Sequence, residues 1–95
     1  VPEHPRWLAY ELLPDGELGA ERVLHDGRRF AGTAPGGADG IEVHPSGTVL
    51  SAGPGGVYAF APDGALLGIL HHGSAVSNVE LDLAGDALYV TAGRR

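Results

Sequence analysis

The sequence predicts an all-β chain, a partial β-propeller with one complete four-stranded blade flanked by two partial blades. Three observations carry this. Apolar runs of four to six residues recur between glycine and proline turns, helix periodicity is nearly absent, and two turn phrases repeat at blade-like spacing. The 95 residues allow a single modest core, and a hydrophobic fraction of 43% argues against disorder despite 16 glycines and 7 prolines.

The central segment is the clearest. Ile41 and Val43 alternate with Glu42 and His44, and Pro45-Ser46-Gly47 turns the chain into a strand over Thr48 to Ala52. Gly53-Pro54-Gly55-Gly56 turns it again into Val57 to Ala61, and Pro62-Asp63-Gly64 opens a fourth strand near Leu66 to His71. Four antiparallel strands in succession form the meander from which propeller blades are built. Before it, Trp7 to Leu12 and Glu21 to His25 read as two outer strands. After it, Asn78 to Leu83 and Ala87 to Ala92 read as two inner strands. Only Gly16 to Leu24 fits a helical period at all, and Gly19 argues against it.

Self-comparison supports the repeat. Tyr10 to Gly16 (YELLPDG) matches Tyr58 to Gly64 (YAFAPDG) at an offset of 48 residues, and Ile41-Glu42-Val43-His44 matches Val79-Glu80-Leu81-Asp82 at 38. Residues 1–36 are thus expected to hold the outer strands of one blade and a loop, 37–73 a complete blade, and 74–95 the inner strands of the next. The chain reads as part of a longer propeller, a six-bladed parent being expected. Apolar residues on both faces of the central strands, Val57 and Ala59 against Tyr58 and Phe60, should stand open in a piece of this length and invite self-association. A self-contained small sandwich or barrel is the competing architecture.

Charge and composition exclude several function classes. With a net charge of −6, six arginines and no lysine, the chain lacks the basic stripe that nucleic acid requires. Gly27-Arg28-Arg29 and Arg94-Arg95 are isolated pairs. No run approaches the roughly 20 apolar residues of a membrane span, and no signal peptide is visible, so no membrane partner and a cytoplasmic location are expected. The absence of cysteine removes disulfides and thiolate metal sites.

The order of the phrases resembles the gluconolactonase and senescence-marker-protein (regucalcin) family of β-propeller lactonases. The phrases are an aromatic strand before Pro14-Asp15-Gly16, the Asp26-Gly27-Arg28-Arg29-Phe30 segment, and a loop ending in Asp39-Gly40. Gly53 to Val57 and Pro62 to Gly68 complete them. The match corresponds to the C-terminal portion of such proteins. The resemblance implies a metal-dependent sugar-lactone hydrolase, incomplete and inactive in this piece alone. It makes Asp39 the metal ligand and catalytic base at the mouth of the central channel. It also implies a divalent cation, Ca²⁺ foremost with Zn²⁺ or Mn²⁺ as alternatives, and a small sugar lactone as substrate. The family's other ligands, an N-terminal glutamate and a mid-chain asparagine, have no counterpart here. A non-catalytic propeller module for binding or scaffolding is the alternative function.

Each residue also has a bland reading. Asp39-Gly40 is a common turn dipeptide, and Asn78, a candidate substrate-binding residue at the start of the next inner strand, could form an Asx turn. His71 and His72 are adjacent on a strand and point to opposite faces, so they do not make a metal pair. His44 suits a solvent-facing position before a turn. Asp15 and Asp63 fit structural roles in their hairpins. Ser46, Ser51, Ser74 and Ser77 lie in no Gly-x-Ser-x-Gly elbow, and neither Gly36-Gly37 nor Gly53 to Gly56 leads into a helix that would cradle phosphate.

Overall fold

The computed structural model describes residues 5–30, 37–73, 75–82 and 84–92. These form eight strands: β1 (Arg6–Leu12), β2 (Leu18–Asp26), β3 (Ile41–Val43), β4 (Val49–Gly53), β5 (Gly56–Phe60), β6 (Leu66–His71), β7 (Val76–Leu81) and β8 (Leu88–Ala92). A 3-10 turn spans Arg28–Phe30, and there is no α-helix among the described residues. The strands make three antiparallel sheets. An N-terminal hairpin β1-β2 and a C-terminal hairpin β7-β8 flank a four-stranded meander in the order β3-β4-β5-β6, and no sheet closes on itself. No helix is long and apolar enough to cross a membrane among the described residues. Gly36, Ser74, Leu83 and the Arg94-Arg95 pair lie outside those residues.

Strand alternation sorts the central sheet into two faces. Val49 pairs with Phe60 and Ser51 with Tyr58, so these four share one face. The N-terminal hairpin covers it: Trp7 and Leu24 join Val49, Tyr58 and Phe60 in one buried cluster, with Ala9, Phe30, Leu66 and Ile69 packed around it. Ala52 pairs with Val57 on the opposite face, where Val76 and Val79 of the C-terminal hairpin bury against them. The sequence expects both faces of β5 to stand open. They do not, because each flanking hairpin supplies a cover, and Val57, Tyr58 and Phe60 are at most 4% exposed. Apolar exposure falls elsewhere, on Leu12, Leu18, Val43, Leu70 and Tyr89 among others.

Aromatic residues bind the N-terminal layer. The Trp7 ring lies 4.7 Å from that of Phe60 and 5.4 Å from that of Tyr58. Its indole Nε1–H donates to the buried Ser51 hydroxyl at 2.7 Å, and that hydroxyl donates onward to the Ala52 carbonyl. The Tyr58 hydroxyl donates to the Pro54 carbonyl at 2.8 Å. Burial pushes the Tyr58 phenol above its usual range, with the Arg29 charge opposing.

Register shifts explain which residues reach these cores. On β6, Leu66 pairs with Phe60 and Gly68 with Ala59, leaving Leu67 as an extra, exposed residue. The bulge lets Leu66 and Ile69, three apart, face the same cluster. On β7, Val76 pairs with Ala92 and Asn78 with Thr91, so Ser77 is the extra residue and Val76 and Val79 face one core.

Candidate functional site

Gly40, the residue after Asp39, packs against Asn78 where the central sheet meets the C-terminal hairpin. Asp39 and Gly40 form the extended link into β3. The Asp39 amide donates to the Ala52 carbonyl at 3.2 Å, and the Ala52 amide donates to the Gly40 carbonyl at 2.9 Å, so the link continues the β3-β4 ladder. The Gly40 amide turns the other way and donates to the Ser77 carbonyl at 3.0 Å. One peptide therefore ties the β3 entrance to the bulge in β7.

Gly40 is required by close approach. A Cβ there would lie 1.9 Å from Asn78 Oδ1 and 2.8 Å from Asn78 Cα, an overlap with both side chain and backbone. The Asp-Gly dipeptide is thus more than a turn signal, since its glycine makes room for Asn78. Asn78 is the third residue of β7 rather than its opening residue, and the Ser77 bulge sets its position. Its side chain and that of Asp39 are both exposed. The Asn78 Oδ1 accepts the amide hydrogen of Val79 at 2.9 Å, one residue on rather than the two of an Asx turn, and retains a second lone pair.

The remaining candidates have structural partners. His44 is half-buried: its Nδ1 accepts the Ser46 amide at 3.0 Å while its Nε2–H donates to the Gly85 carbonyl at 3.2 Å. It pins the β3-β4 turn to the β7-β8 turn, which replaces the solvent-facing position expected of it. Asp15 and Asp63 each accept the amide of the residue two ahead, at 2.9 and 3.0 Å, as hairpin residues should. His71 and His72 are exposed at the end of β6.

A hard divalent cation takes about six oxygen donors or more. Asp39 and Asn78 present one carboxylate and one amide oxygen, and no group of three or more His, Cys, Asp or Glu is disposed to hold a metal among the described residues. These residues alone do not make a cation site.

Two features escape the sequence reading. The Trp7–Ser51 bond spans 44 positions, and no local pattern announces it. The β7 bulge does leave a trace, because Val76 and Val79 are spaced by three where a regular strand alternates by two.

The resemblance read from the sequence is borne out by comparison with known proteins. The chain is similar to a gluconolactonase of Zymomonas mobilis subsp. mobilis, 30% identical over 92 residues. The match covers 93% of this chain but 26% of that protein, so the chain spans about a quarter of the length of this relative. No family model matches the chain, and no solved structure matches it.

Proposed function

We propose that this chain is a segment of a sugar-lactone hydrolase, built as one complete propeller blade between two half-blades, with Asp39 its contribution to the catalytic centre. The carrying observation is the similarity to a gluconolactonase across nearly the whole chain. The meander β3-β4-β5-β6 has the form of a blade, which supports the architectural part of the reading. The packing of Gly40, next to Asp39 in the chain, against Asn78 supports the choice of residues.

In this reading the Asp39 carboxylate accepts a proton from water as its oxygen attacks the lactone carbonyl carbon. The ring carbon–oxygen bond then breaks, and the departing oxygen takes up a proton to give the open hydroxy acid. The Asn78 amide contacts substrate hydroxyls. Asp39 is also the proposed contribution to a divalent cation site, Ca²⁺ foremost. Its further ligands would come from segments outside this chain, since the described residues do not suffice. The 95 residues alone are then inactive.

The test is pH-stat hydrolysis of gluconolactone, corrected for spontaneous opening, by the longest natural form of the chain. Asp39→Asn keeps the shape and removes the proton acceptor, and turnover should fall by about 10²-fold or more. Asp63→Asn, a hairpin substitution, should leave turnover within about twofold. Undiminished hydrolysis by Asp39→Asn removes Asp39 from the mechanism.

A further inference from the structure

Four aspartates of the chain precede glycine: Asp15-Gly16, Asp26-Gly27, Asp39-Gly40 and Asp63-Gly64. Such a pair carries a chemical hazard. The glycine amide nitrogen can attack the aspartate Cγ and expel water, closing a five-membered imide. Water then reopens the ring at either carbonyl, which restores aspartate or leaves an isoaspartyl link that runs through Cβ. Glycine favours closure because no side chain shields its nitrogen. That nitrogen must also be free, since an imide nitrogen carries no hydrogen and gives up whatever bond the amide donated.

The fold holds all four glycine amides, but in different ways. Gly16 donates to the Leu13 carbonyl at 2.9 Å and Gly64 to that of Ala61 at 2.8 Å, each inside its own hairpin turn. Gly27 donates to the Pro5 carbonyl at 2.9 Å, just beyond the Arg6–Asp26 pair of the β1-β2 hairpin. Of the four, only Gly40 donates to another sheet, at 3.0 Å to the Ser77 carbonyl of β7. The carboxylates divide along the same line. Asp15, Asp26 and Asp63 each accept the amide of the residue two ahead, at 2.9, 2.9 and 3.0 Å. The Asp39 carboxylate is exposed and accepts no hydrogen bond among the described residues.

The contact that binds the Gly40 amide also dictates glycine at that position. A Cβ there would meet Asn78 Oδ1 at 1.9 Å, so the junction of the two sheets itself imposes the most labile neighbour on Asp39. A second polar tie crosses the same junction at the far end of β3, where His44 Nε2–H donates to the Gly85 carbonyl at 3.2 Å. Parting of the β7-β8 hairpin from the β3 entrance frees the Gly40 amide while the hairpin turns stay closed. We infer that Asp39 is the first of the four aspartates to isomerise spontaneously, and that it does so when these two sheets part. The product lengthens the link into β3 by one backbone carbon and leaves the free carboxylate on Cα. Isomerisation at Asp39 thereby records how often the junction opens. The inference does not rest on the lactonase reading, because its readout is the linkage at Asp39 and not hydrolysis.

The test incubates the longest natural form of the chain at physiological temperature and mildly acidic pH. Isoaspartate is then read site by site, by peptide separation and electron-transfer fragmentation. Asp39 should isomerise about tenfold faster than Asp15, Asp26 or Asp63, a spread well inside the range of local opening equilibria. In concentrated urea the four sites should proceed alike, because the ranking belongs to the fold. His44→Ala removes the second tie and should raise the rate at Asp39 about fivefold, the factor one hydrogen bond makes in an opening equilibrium, with the other three sites unchanged. Asp39→Asn should close the same ring with loss of ammonia and return aspartyl and isoaspartyl chains on storage, so its hydrolysis is read on fresh protein. Equal rates at the four sites in the folded protein overturn the inference, as does a ranking that persists in urea. So does a rise in His44→Ala that all four sites share, or an Asp39→Asn chain that keeps its amide.

Discussion

Replacing Trp7 with Phe tests whether the N-terminal hairpin is held on the central sheet as its packing implies. The indole is 3% exposed and its N–H reaches Ser51 Oγ at 2.7 Å in a fully buried position. Losing that bond costs about 1 kcal/mol, the low end for a buried pair because the serine hydroxyl still donates to the Ala52 carbonyl. Phenylalanine leaves a gap of roughly 40 Å³, worth about 1 kcal/mol at roughly 24 cal/mol per Å³. The apolar surface no longer buried adds about 1 kcal/mol more. The total of about 3 kcal/mol corresponds to a fall in Tm of about 12–24 °C for a chain of this size. The assay is thermal and urea unfolding at matched protein concentration, since association would shift apparent stability. Ser51→Ala should cost about 1–3 kcal/mol by stranding the indole N–H, and the double variant should reveal a coupling of about 1 kcal/mol. Trp7 is the chain's one tryptophan, so its fluorescence should be blue-shifted in the folded protein and move red on unfolding. A fall under about 4 °C for Trp7→Phe, strict additivity in the double variant, or solvent-like native emission would each refute the packing described.

Three further outcomes are predicted. Gly40→Ala forces apart Asn78 and the β3 entrance, and should destabilise by about 1–3 kcal/mol in urea unfolding, with amide shifts at Ser77 and Asn78 as the local readout. Gly16→Ala and Gly64→Ala share a left-handed backbone strain of about 1–2 kcal/mol. Gly64→Ala should be the costlier, because its Cβ would also lie 1.8 Å from the Leu24 carbonyl, whereas nothing stands within 4 Å at Gly16. Equal melting temperatures for the two would contradict the close contact between β2 and the β5-β6 turn. For Tyr58, whose folded pKa is raised mainly by burial, the native state holds its phenol proton more tightly than the unfolded chain does. Its stabilising effect should be full below about pH 10 and decline as pH rises through the folded value. Alkaline unfolding of Tyr58→Phe should therefore begin at higher pH than that of the parent chain.

Local chemistry made much of this protein legible in its sequence. Alternation in Ile41 to His44, the Pro-Asp-Gly turns at 14–16 and 62–64, and the glycines that alone accept positive φ are properties of neighbouring residues, and the strands formed where these signals lie. The family resemblance was equally legible, carried by the order of short phrases. Asp39 stood out for that reason, while the packing of its neighbour Gly40 against Asn78 did not. That packing depends on a bulge at Ser77 and on a glycine with no room for a Cβ, and both belong to the contact between two sheets. The same holds for the covered faces of β5. A strand's pattern says that both faces are apolar, but which partner covers them is a matter of how distant segments stack. Only the tertiary structure brought Trp7 to Ser51 and Val79 to Val57, because hydrophobic burial is non-directional and selects its partners by shape over the whole chain.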